Sequence, residues 1–185
     1  MIQRMKSAPN LFLLAAAALV VTATTVSCST EKPGKPNPAP SASQSAAPSS
    51  ENKEVFADLD SCEMLRDVTR TLAYEGYKPE TLESDNGCRA TKARYGNVSL
   101  YFVGNEGIGK LNPSQGTKTT VQIGGREAVQ FSGDGGRGSC YIGIAVTPNA
   151  RASVTLTLSD GSNEQSCADG MVVAEAVAPK LPRGN

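Results

Sequence analysis

The stretch Cys140-Tyr-Ile-Gly-Ile-Ala-Val-Thr-Pro-Asn-Ala-Arg-Ala-Ser-Val-Thr-Leu-Thr-Leu158 decides the fold. Larger apolar residues alternate with small or polar ones along both halves, which is the period-two pattern of half-buried strands. Between the halves, Thr147-Pro148-Asn149-Ala150 predicts a turn. The stretch therefore predicts an antiparallel hairpin with one face in a core. The residues predicted to point inward are Cys140, Ile142, Ile144, Val146, Ala152, Val154, Leu156 and Leu158.

Two more hairpins are predicted before this one. Residues 89–95 and 98–103 flank Gly96-Asn97, which predicts a two-residue turn. Residues 117–123 and 126–131 flank Gly124-Gly125, but a two-residue turn there would place Val129 and Phe131 on the face opposite to Val121 and Ile123. A three-residue loop or a glycine bulge is therefore expected at these glycines. In the first of the two hairpins the predicted core face carries Thr91, Ala93, Tyr95, Val98, Leu100 and Phe102.

One helix is predicted on each side of the strands. Asp60-Ser61 supplies the N-cap of the first helix, with Glu63 three residues after Asp60, and Gly76 is expected to close it. Residues 77–87 are polar and predict a loop. Ser162-x-x-Gln165 is a capping box for the last helix, which Pro179 ends. This order predicts an α+β domain, an antiparallel six-stranded sheet with an N-terminal and a C-terminal helix packed on one face.

Four cysteines fall within this domain, at Cys62, Cys88, Cys140 and Cys167. An even number in an exported chain is typical of two disulfides. A four-cysteine zinc site is the alternative, although such sites usually contain Cys-x-x-Cys pairs, which this chain lacks. Cys62–Cys88 with Cys140–Cys167 is the preferred pairing, because each bond would join a helix start to a strand start on the helix-covered face. Four cysteines allow three pairings, and the two rivals, one of which is Cys62–Cys167 with Cys88–Cys140, stay open.

Residues 1–27 have the three-part pattern of a secretory signal peptide. Arg4 and Lys6 precede an apolar run, residues 11–21, that is too short to span a membrane. The segment resembles a bacterial lipobox, in which the cysteine after the cut receives a diacylglycerol, although Thr25 stands where an aliphatic residue is usual. Cys28 is therefore the predicted lipidation site. The alternative is an ordinary signal peptide that a cysteine happens to follow.

A linker rich in Pro, Ser and Ala follows Cys28 and predicts a disordered tether, because it has almost no apolar side chains to bury. The expected organisation is a signal peptide at 1–27, a lipidated cysteine and tether at 28–53, a disulfide-bonded globular domain at 54–182 and a tail at 183–185.

The composition argues against several functions. The 185 residues contain 18 basic and 18 acidic side chains and neither His nor Trp. A balanced charge gives no reason to expect nucleic acid as a partner. The absence of histidine removes the commonest general base and the commonest metal ligand. No cofactor and no metal site are expected.

The sequence contains three candidate sites. Residues 104–110 resemble a phosphate-binding loop, but Leu111 stands where Ser or Thr would hold magnesium, so a connecting loop is preferred. Arg89, Lys92 and Arg94 beside Tyr101 could contact acidic polymers, but a solvated sheet face is preferred. Ser139 lacks the surrounding pattern of a catalytic nucleophile. No pair of carboxylates is singled out either, so a non-catalytic protein is expected.

The order of short motifs along the chain resembles a known family. The motifs follow the lipobox and the Pro/Ser linker, and they are Cys62-Glu-Met-Leu65, Gly87-Cys88, Val121-Gln-Ile-Gly-Gly-Arg-Glu-Ala128, Cys140-Tyr-Ile, Cys167-Ala-Asp and Leu181-Pro182. In this order the chain is similar to small actinobacterial surface lipoproteins of unknown function, those of the LprB and LprC type. The resemblance implies an envelope lipoprotein and no known reaction.

The function expected from the sequence is that of a lipid-anchored, non-catalytic binding or accessory domain on the outer face of the cytoplasmic membrane. Its partners would be the membrane, through Cys28, and an unknown envelope protein or ligand, and a monomer is expected. The alternative is a carrier of a small apolar or lipid-like molecule between the helices and the sheet. An envelope hydrolase is the hypothesis with the least support.

Overall fold

The computed structural model describes residues 55–183. The signal peptide, the predicted lipidation site Cys28 and the tether lie outside these residues. Two helices flank the strands along the chain, α1 at Ser61–Thr69 and α2 at Asn163–Val177. The side chain of Asp60 accepts a hydrogen bond from the Glu63 amide at 2.7 Å, and Ser162 Oγ accepts one from the Gln165 amide at 3.2 Å. Both predicted N-caps are confirmed.

The strands form one seven-stranded antiparallel sheet with the order β1-β2-β3-β7-β6-β5-β4. The predicted α+β class is confirmed, whereas the predicted number of six strands is wrong. Both helices pack on the same face of the sheet, since α1 contacts β2 and β3 and α2 contacts β6 and β7. The strands are β1 Glu75–Pro79, β2 Gly87–Lys92, β3 Gly96–Val103, β4 Thr117–Ile123, β5 Arg126–Ser132, β6 Ser139–Thr147 and β7 Ala150–Leu158.

The additional strand is β1, within the segment predicted to be a loop. Helix α1 ends at Thr69 rather than at Gly76, and Gly76 lies inside β1 with φ 65°. The pairing of β1 with β2 shifts register between Glu75 and Lys78, which is a β-bulge at this glycine. The strand was missed because it is short, lies at the sheet edge and is mostly exposed, so it carries no alternating apolar pattern.

The turn between β2 and β3 lies before Gly96, not at the predicted Gly96-Asn97. Lys92 pairs with Gly96, so residues 93–95 form a three-residue turn, and Arg94 there has φ 57°. The core face of β2 consequently carries Cys88 and Ala90, and the predicted placement of Thr91 and Ala93 in the core is wrong because both are exposed. Gly96 is not a turn residue but allows close approach of β3 to β7, since a Cβ there would collide with the backbone of Thr157.

The turn between β4 and β5 is the two-residue turn that the sequence argument rejected. Ile123 pairs with Arg126, and Gly124 and Gly125 have φ 59° and 78°, so the expected three-residue loop or bulge is wrong. Val129 and Phe131 do point away from the helices, yet they are only 4% and 2% exposed. The expectation failed because it assumed that only one face of the sheet is buried.

The β3–β4 connection covers part of the helix-free face. A Cβ added to Gly143 on β6 would lie 2.6 Å from Leu111 Cδ1, 3.4 Å from Val129 Cγ2 and 3.5 Å from Ile108 Cγ2. These apolar side chains therefore bury the second face of β5 and β6.

The layer between the helices and the sheet is the main core. All eight residues predicted to point inward from the β6–β7 hairpin are at most 6% exposed. On α2, a Cβ added to Gly170 would lie 3.4 Å from Ile142 Cδ1, so helix and sheet are in close contact. Disulfides tie both helices to this layer. Cys62–Cys88 joins α1 to β2 with a Cα–Cα distance of 4.9 Å, and Cys140–Cys167 joins β6 to α2 at 5.0 Å, which is the preferred pairing.

Candidate functional site

On their helix-free face, β2, β3, β7 and β6 present polar or small side chains, except for the buried Val103 at the end of β3. Strand register aligns them in three rows that cross all four strands. We call these twelve residues the polar floor. The rows are Thr91, Asn97, Thr157 and Ser139, then Arg89, Ser99, Thr155 and Tyr141, then Gly87, Tyr101, Ser153 and Gly143.

A groove of about 380 Å³ lies over the polar floor and opens to solvent. Glu80, Leu82 and Glu83 from the end of β1 and the following loop form one wall, and Asp134 and Gly135 from the β5–β6 loop form another. Leu82 is 79% exposed, which is unusual for a large apolar side chain in this domain. Loops held by a rigid sheet are a common arrangement for binding sites.

Glu80 is held by three donors at one side of the groove. Its Oε2 accepts hydrogen bonds from Ser99 Oγ at 2.9 Å and from the Tyr101 hydroxyl, and its Oε1 accepts one from Arg89 Nη1 at 3.3 Å. Partial burial by itself would raise the pKa of Glu80, but these donors outweigh burial and lower it below its ordinary value. Burial and the contact with Glu80 raise the pKa of Tyr101. Glu80 is therefore an anion and Tyr101 a neutral donor near pH 7.

Arg151 links the loop that carries Glu83 and the β3–β4 connection to the sheet. It is only 5% exposed, and its Nη1 donates to the Glu106 carbonyl oxygen at 2.9 Å and to Glu106 Oε2 at 3.2 Å. Its Nη2 lies 3.5 Å from Glu83 Oε2, and its Nε donates to the Tyr141 hydroxyl at 3.2 Å. Burial, and after it the charge of Glu83, raises the pKa of Tyr141, so this hydroxyl stays protonated.

The structure separates the basic residues that the sequence placed together. Arg89 belongs to the polar floor and pairs with Glu80. Lys92 has the opposite strand parity, and its Nζ lies 4.4 Å from the centroid of the Tyr95 ring. Arg94 is exposed in the turn that follows. A continuous basic stripe is therefore not formed.

The stretch that resembles a phosphate-binding loop is part of the β3–β4 connection. Residues Ile108–Lys110 form a single 3₁₀ turn, and no helix of useful length begins there. Ser139, the other residue considered from the sequence, is 3% exposed at the edge of the polar floor. Within residues 55–183, no group of three or more His, Cys, Asp or Glu side chains could hold a metal ion.

A second groove of about 400 Å³ adjoins the first and shares Glu83 with it. Phe56 and Phe102 lie at its base with their rings stacked at 5.0 Å, and both side chains are nearly buried. The described part of the chain contains no helix that is long and apolar enough to cross a membrane.

Sequence reasoning missed Glu80, Glu83 and Arg151. A signal for Arg151 was present, because Arg151, Ser153, Thr155 and Thr157 occupy the outward positions of the best-predicted strand. No local signal marks Glu80 and Glu83, since their partners Arg89 and Arg151 lie 9 and 68 residues away in sequence.

These features define an extracytoplasmic class of protein, a two-layer α+β domain tied by two disulfides, because such bonds persist in oxidising compartments. A family model described as "Protein of unknown function (DUF3558)" matches residues 23–180, and the chain belongs to this family. Comparison with curated proteins found no match, and neither did comparison with solved structures.

Proposed function

We propose that this protein is a lipid-anchored envelope lipoprotein of the small actinobacterial type, with a non-catalytic binding domain that acts as a monomer. The signal pattern, the lipobox-like segment ending at Cys28 and the Pro/Ser-rich linker support the anchor. The two disulfides agree with a domain outside the cytoplasm. The resulting location is the outer face of the cytoplasmic membrane.

The groove over the polar floor is the observation that carries the binding function. It combines a rigid four-stranded floor with two walls made of loops. Arg151 and Glu80 fix the wall beside Tyr101 and Tyr141 through charge-assisted hydrogen bonds. A groove that is held in shape before binding loses less conformational entropy when a ligand enters.

The charges around the groove favour binding over catalysis. A general base works best when its pKa lies near the operating pH. Glu80 has a pKa below its ordinary value, and Tyr101 and Tyr141 have raised pKa values, so none of the three is poised to exchange protons near pH 7. This supports a non-catalytic role for these three residues.

The carrier function has less support in the described residues. A carrier would need an apolar cavity between the helices and the sheet. Side chains fill that layer instead, and those that are at most 1% exposed include Leu65, Leu100, Ile142, Ile144, Val154 and Val173.

The anchor is tested by metabolic labelling with an alkyne fatty acid in cells that make the full chain. The wild type should be labelled and should partition with membranes, whereas Cys28→Ala should remain unlabelled. Equal labelling of the two proteins would contradict lipidation at Cys28.

The binding function is tested with the chain from residue 28 carrying Cys28→Ser, added to envelope fragments from the producing cells. Thr155→Arg should reduce binding strongly, because it places a long side chain in the groove. Thr119→Arg adds the same charge at an exposed position of β4 and should bind as the parent does. Equal binding by both variants would show that the groove is not the binding site.

A further inference from the structure

We propose that the groove over the polar floor binds an uncharged glycan, that is, a chain of neutral polyhydroxylated units. This inference rests on the binding function proposed above and names the class of ligand. It follows from three features of the groove: the state of its charges, the groups left free on its floor, and the spacing of those groups.

The charged side chains around the groove already have partners within the domain. Glu80 accepts from Arg89, Ser99 and Tyr101, and Glu83 accepts from Tyr141 and Arg151. Asp134 Oδ1 accepts from the Ser114 amide at 2.8 Å, from Ser114 Oγ at 3.0 Å and from the Gln115 amide at 3.2 Å. Arg89 is in turn paired with Glu80.

These pairs disfavour a charged ligand. A carboxylate or a phosphate would have to draw Arg89 away from Glu80, and a cation would have to compete with Arg151 for Glu83. Either exchange breaks an ion pair that the domain already has, so a charged ligand gains little net pairing of charge. A neutral ligand can enter the groove without disturbing any of these pairs.

The polar groups that remain free on the floor are neutral. Among residues 55–183, no side-chain hydrogen bond engages Asn97, Thr155 or Thr157, and all three are half-buried and line the groove. A threonine hydroxyl and an asparagine amide can each donate and accept. They therefore match ligand hydroxyls, which also donate and accept, better than they match a group that can do only one.

The spacing of these groups fits a chain of repeating units. Asn97 and Thr157 are direct partners on neighbouring strands, so their Cβ atoms are about 5 Å apart. Thr155 lies two residues from Thr157 on the same strand, which is about 7 Å. Leu82 on the wall supplies apolar surface for the C–H faces of sugar rings. Tyr101 is 2% exposed and offers no stacking surface, so recognition depends on the hydroxyl groups.

The test uses the chain from residue 28 with Cys28→Ser and an array of oligosaccharides. The array holds neutral members built from glucose, mannose, galactose and arabinose, and acidic members that bear uronic acid or phosphate. We expect binding to neutral members. Thr155→Val with Thr157→Val removes two hydroxyls and keeps the branched side chains, and it should weaken that binding by about tenfold to a hundredfold.

The matched control is Thr119→Val with Thr120→Val. Both threonines are exposed on β4, the edge strand farthest from β1 in the sheet order, and neither lines the groove. This control should bind neutral members as the parent does. Binding confined to acidic members, no binding to any neutral member, or the same loss in the control would each overturn the inference.

A second arm separates this inference from the binding function on which it rests. Envelope fragments are treated with periodate, which cleaves vicinal diols, before the protein is added. We expect the treatment to abolish binding that depends on the groove. If Thr155→Arg loses envelope binding while periodate has no effect, the groove is a binding site and the glycan inference is wrong. If Thr155→Arg binds as the parent does, the binding function itself is wrong.

Discussion

At the scale of single residues, Arg151 shows how a charge can be buried in this domain. The guanidinium is nearly inaccessible, and its five polar contacts come from β6, β7 and two separate loops. Removing one partner of a buried ion pair leaves the other charge without compensation. This destabilises a protein more than replacing both partners by apolar residues does. Arg151 is thus a positioning residue for the loop that carries Glu83 and forms one wall of the groove.

We predict that Arg151→Ala lowers the free energy of unfolding by about 3–5 kcal/mol, because Glu83 and the Glu106 carbonyl lose their buried donor. Arg89→Ala is the matched control and should cost about 1 kcal/mol or less, since its side chain is 37% exposed. Urea unfolding followed by circular dichroism measures both. Similar losses in the two variants would contradict the role assigned to Arg151.

Glu80 gives a prediction about pH. Its pKa in the folded domain is lower than the ordinary value of 4.5, so its contribution to stability is present above that pH. The contribution is lost as the pH falls through the lowered pKa. We expect Glu80→Gln to reduce the free energy of unfolding by about 1–3 kcal/mol at pH 7, and the difference from the wild type to shrink below pH 4.5.

The control for this prediction is Glu175→Gln, on the exposed side of α2. Thermal unfolding of the three proteins between pH 3 and pH 7 is the measurement, a range that brackets the ordinary carboxyl pKa. A loss in Glu80→Gln that stays constant across this range would show that the ionised carboxylate is not what stabilises the domain.

At the scale of elements, the turns set the register of each hairpin. Gly124 and Gly125 both adopt positive φ, which allows the two-residue turn between β4 and β5. That turn directs Val121 and Ala128 to the helices and Val129 and Phe131 to the other side. The β3–β4 connection then covers this second apolar surface. The register that the turn sets is therefore stable only because this connection buries Val129 and Phe131.

We predict that Gly125→Val lowers the free energy of unfolding by about 1–2 kcal/mol, because a branched residue is strained at φ 78°. No atom lies within 4 Å of the position its Cβ would occupy, so the loss reports backbone strain alone. Gly109→Val is the matched control, since its Cβ also meets nothing within 4 Å but its backbone is not in the left-handed region. Equal effects of both substitutions on the melting temperature would contradict this account.

The disulfides act at the same scale, because each ties one helix to one strand. Cys62–Cys88 and Cys140–Cys167 close loops with sequence separations of 26 and 27 residues. The chain-entropy model values each bond at about 3.5 kcal/mol. Replacing either pair by two alanines should reduce the free energy of unfolding by that amount, and the two losses should add because the loops share no residues.

Urea unfolding of both double variants and of the quadruple variant measures this additivity. Tryptic mapping without reduction checks the connectivity in the purified protein, because cleavage is expected at Arg66, Arg89, Arg137 and Arg151. A linked peptide that contains Cys62 and Cys167 would contradict the pairing.

At the scale of the whole molecule, the linker should hold the domain away from the membrane without stabilising it. Its composition gives it almost no apolar surface to bury against the domain. We predict that a chain starting at Glu54 melts at the same temperature as one starting at Ser29. Differential scanning calorimetry tests this, and a difference of several degrees would mean that the linker contacts the domain.

The sequence by itself determined the features that depend on neighbouring residues. Alternation from Cys140 to Leu158 predicted a hairpin whose inward positions are all buried. Asp60 and Ser162 predicted the starts of both helices, since a cap needs only the next three residues. The cysteine positions at helix and strand starts favoured the pairing that the structure contains. Periodicity and capping are local, so they can be read without knowing the fold.

Only the tertiary structure decided the features that depend on distant partners. Strand β1 has little apolar pattern and is defined by its pairing with β2. The β4–β5 register was mispredicted because Ile108 and Leu111, from another part of the chain, bury the second face of the sheet. One wall of the groove is held because Arg89 pairs with Glu80 and Arg151 pairs with Glu83, although 68 residues separate Glu83 from Arg151. Burial of a polar or apolar side chain is set by what covers it, and here the cover comes from segments far away in sequence.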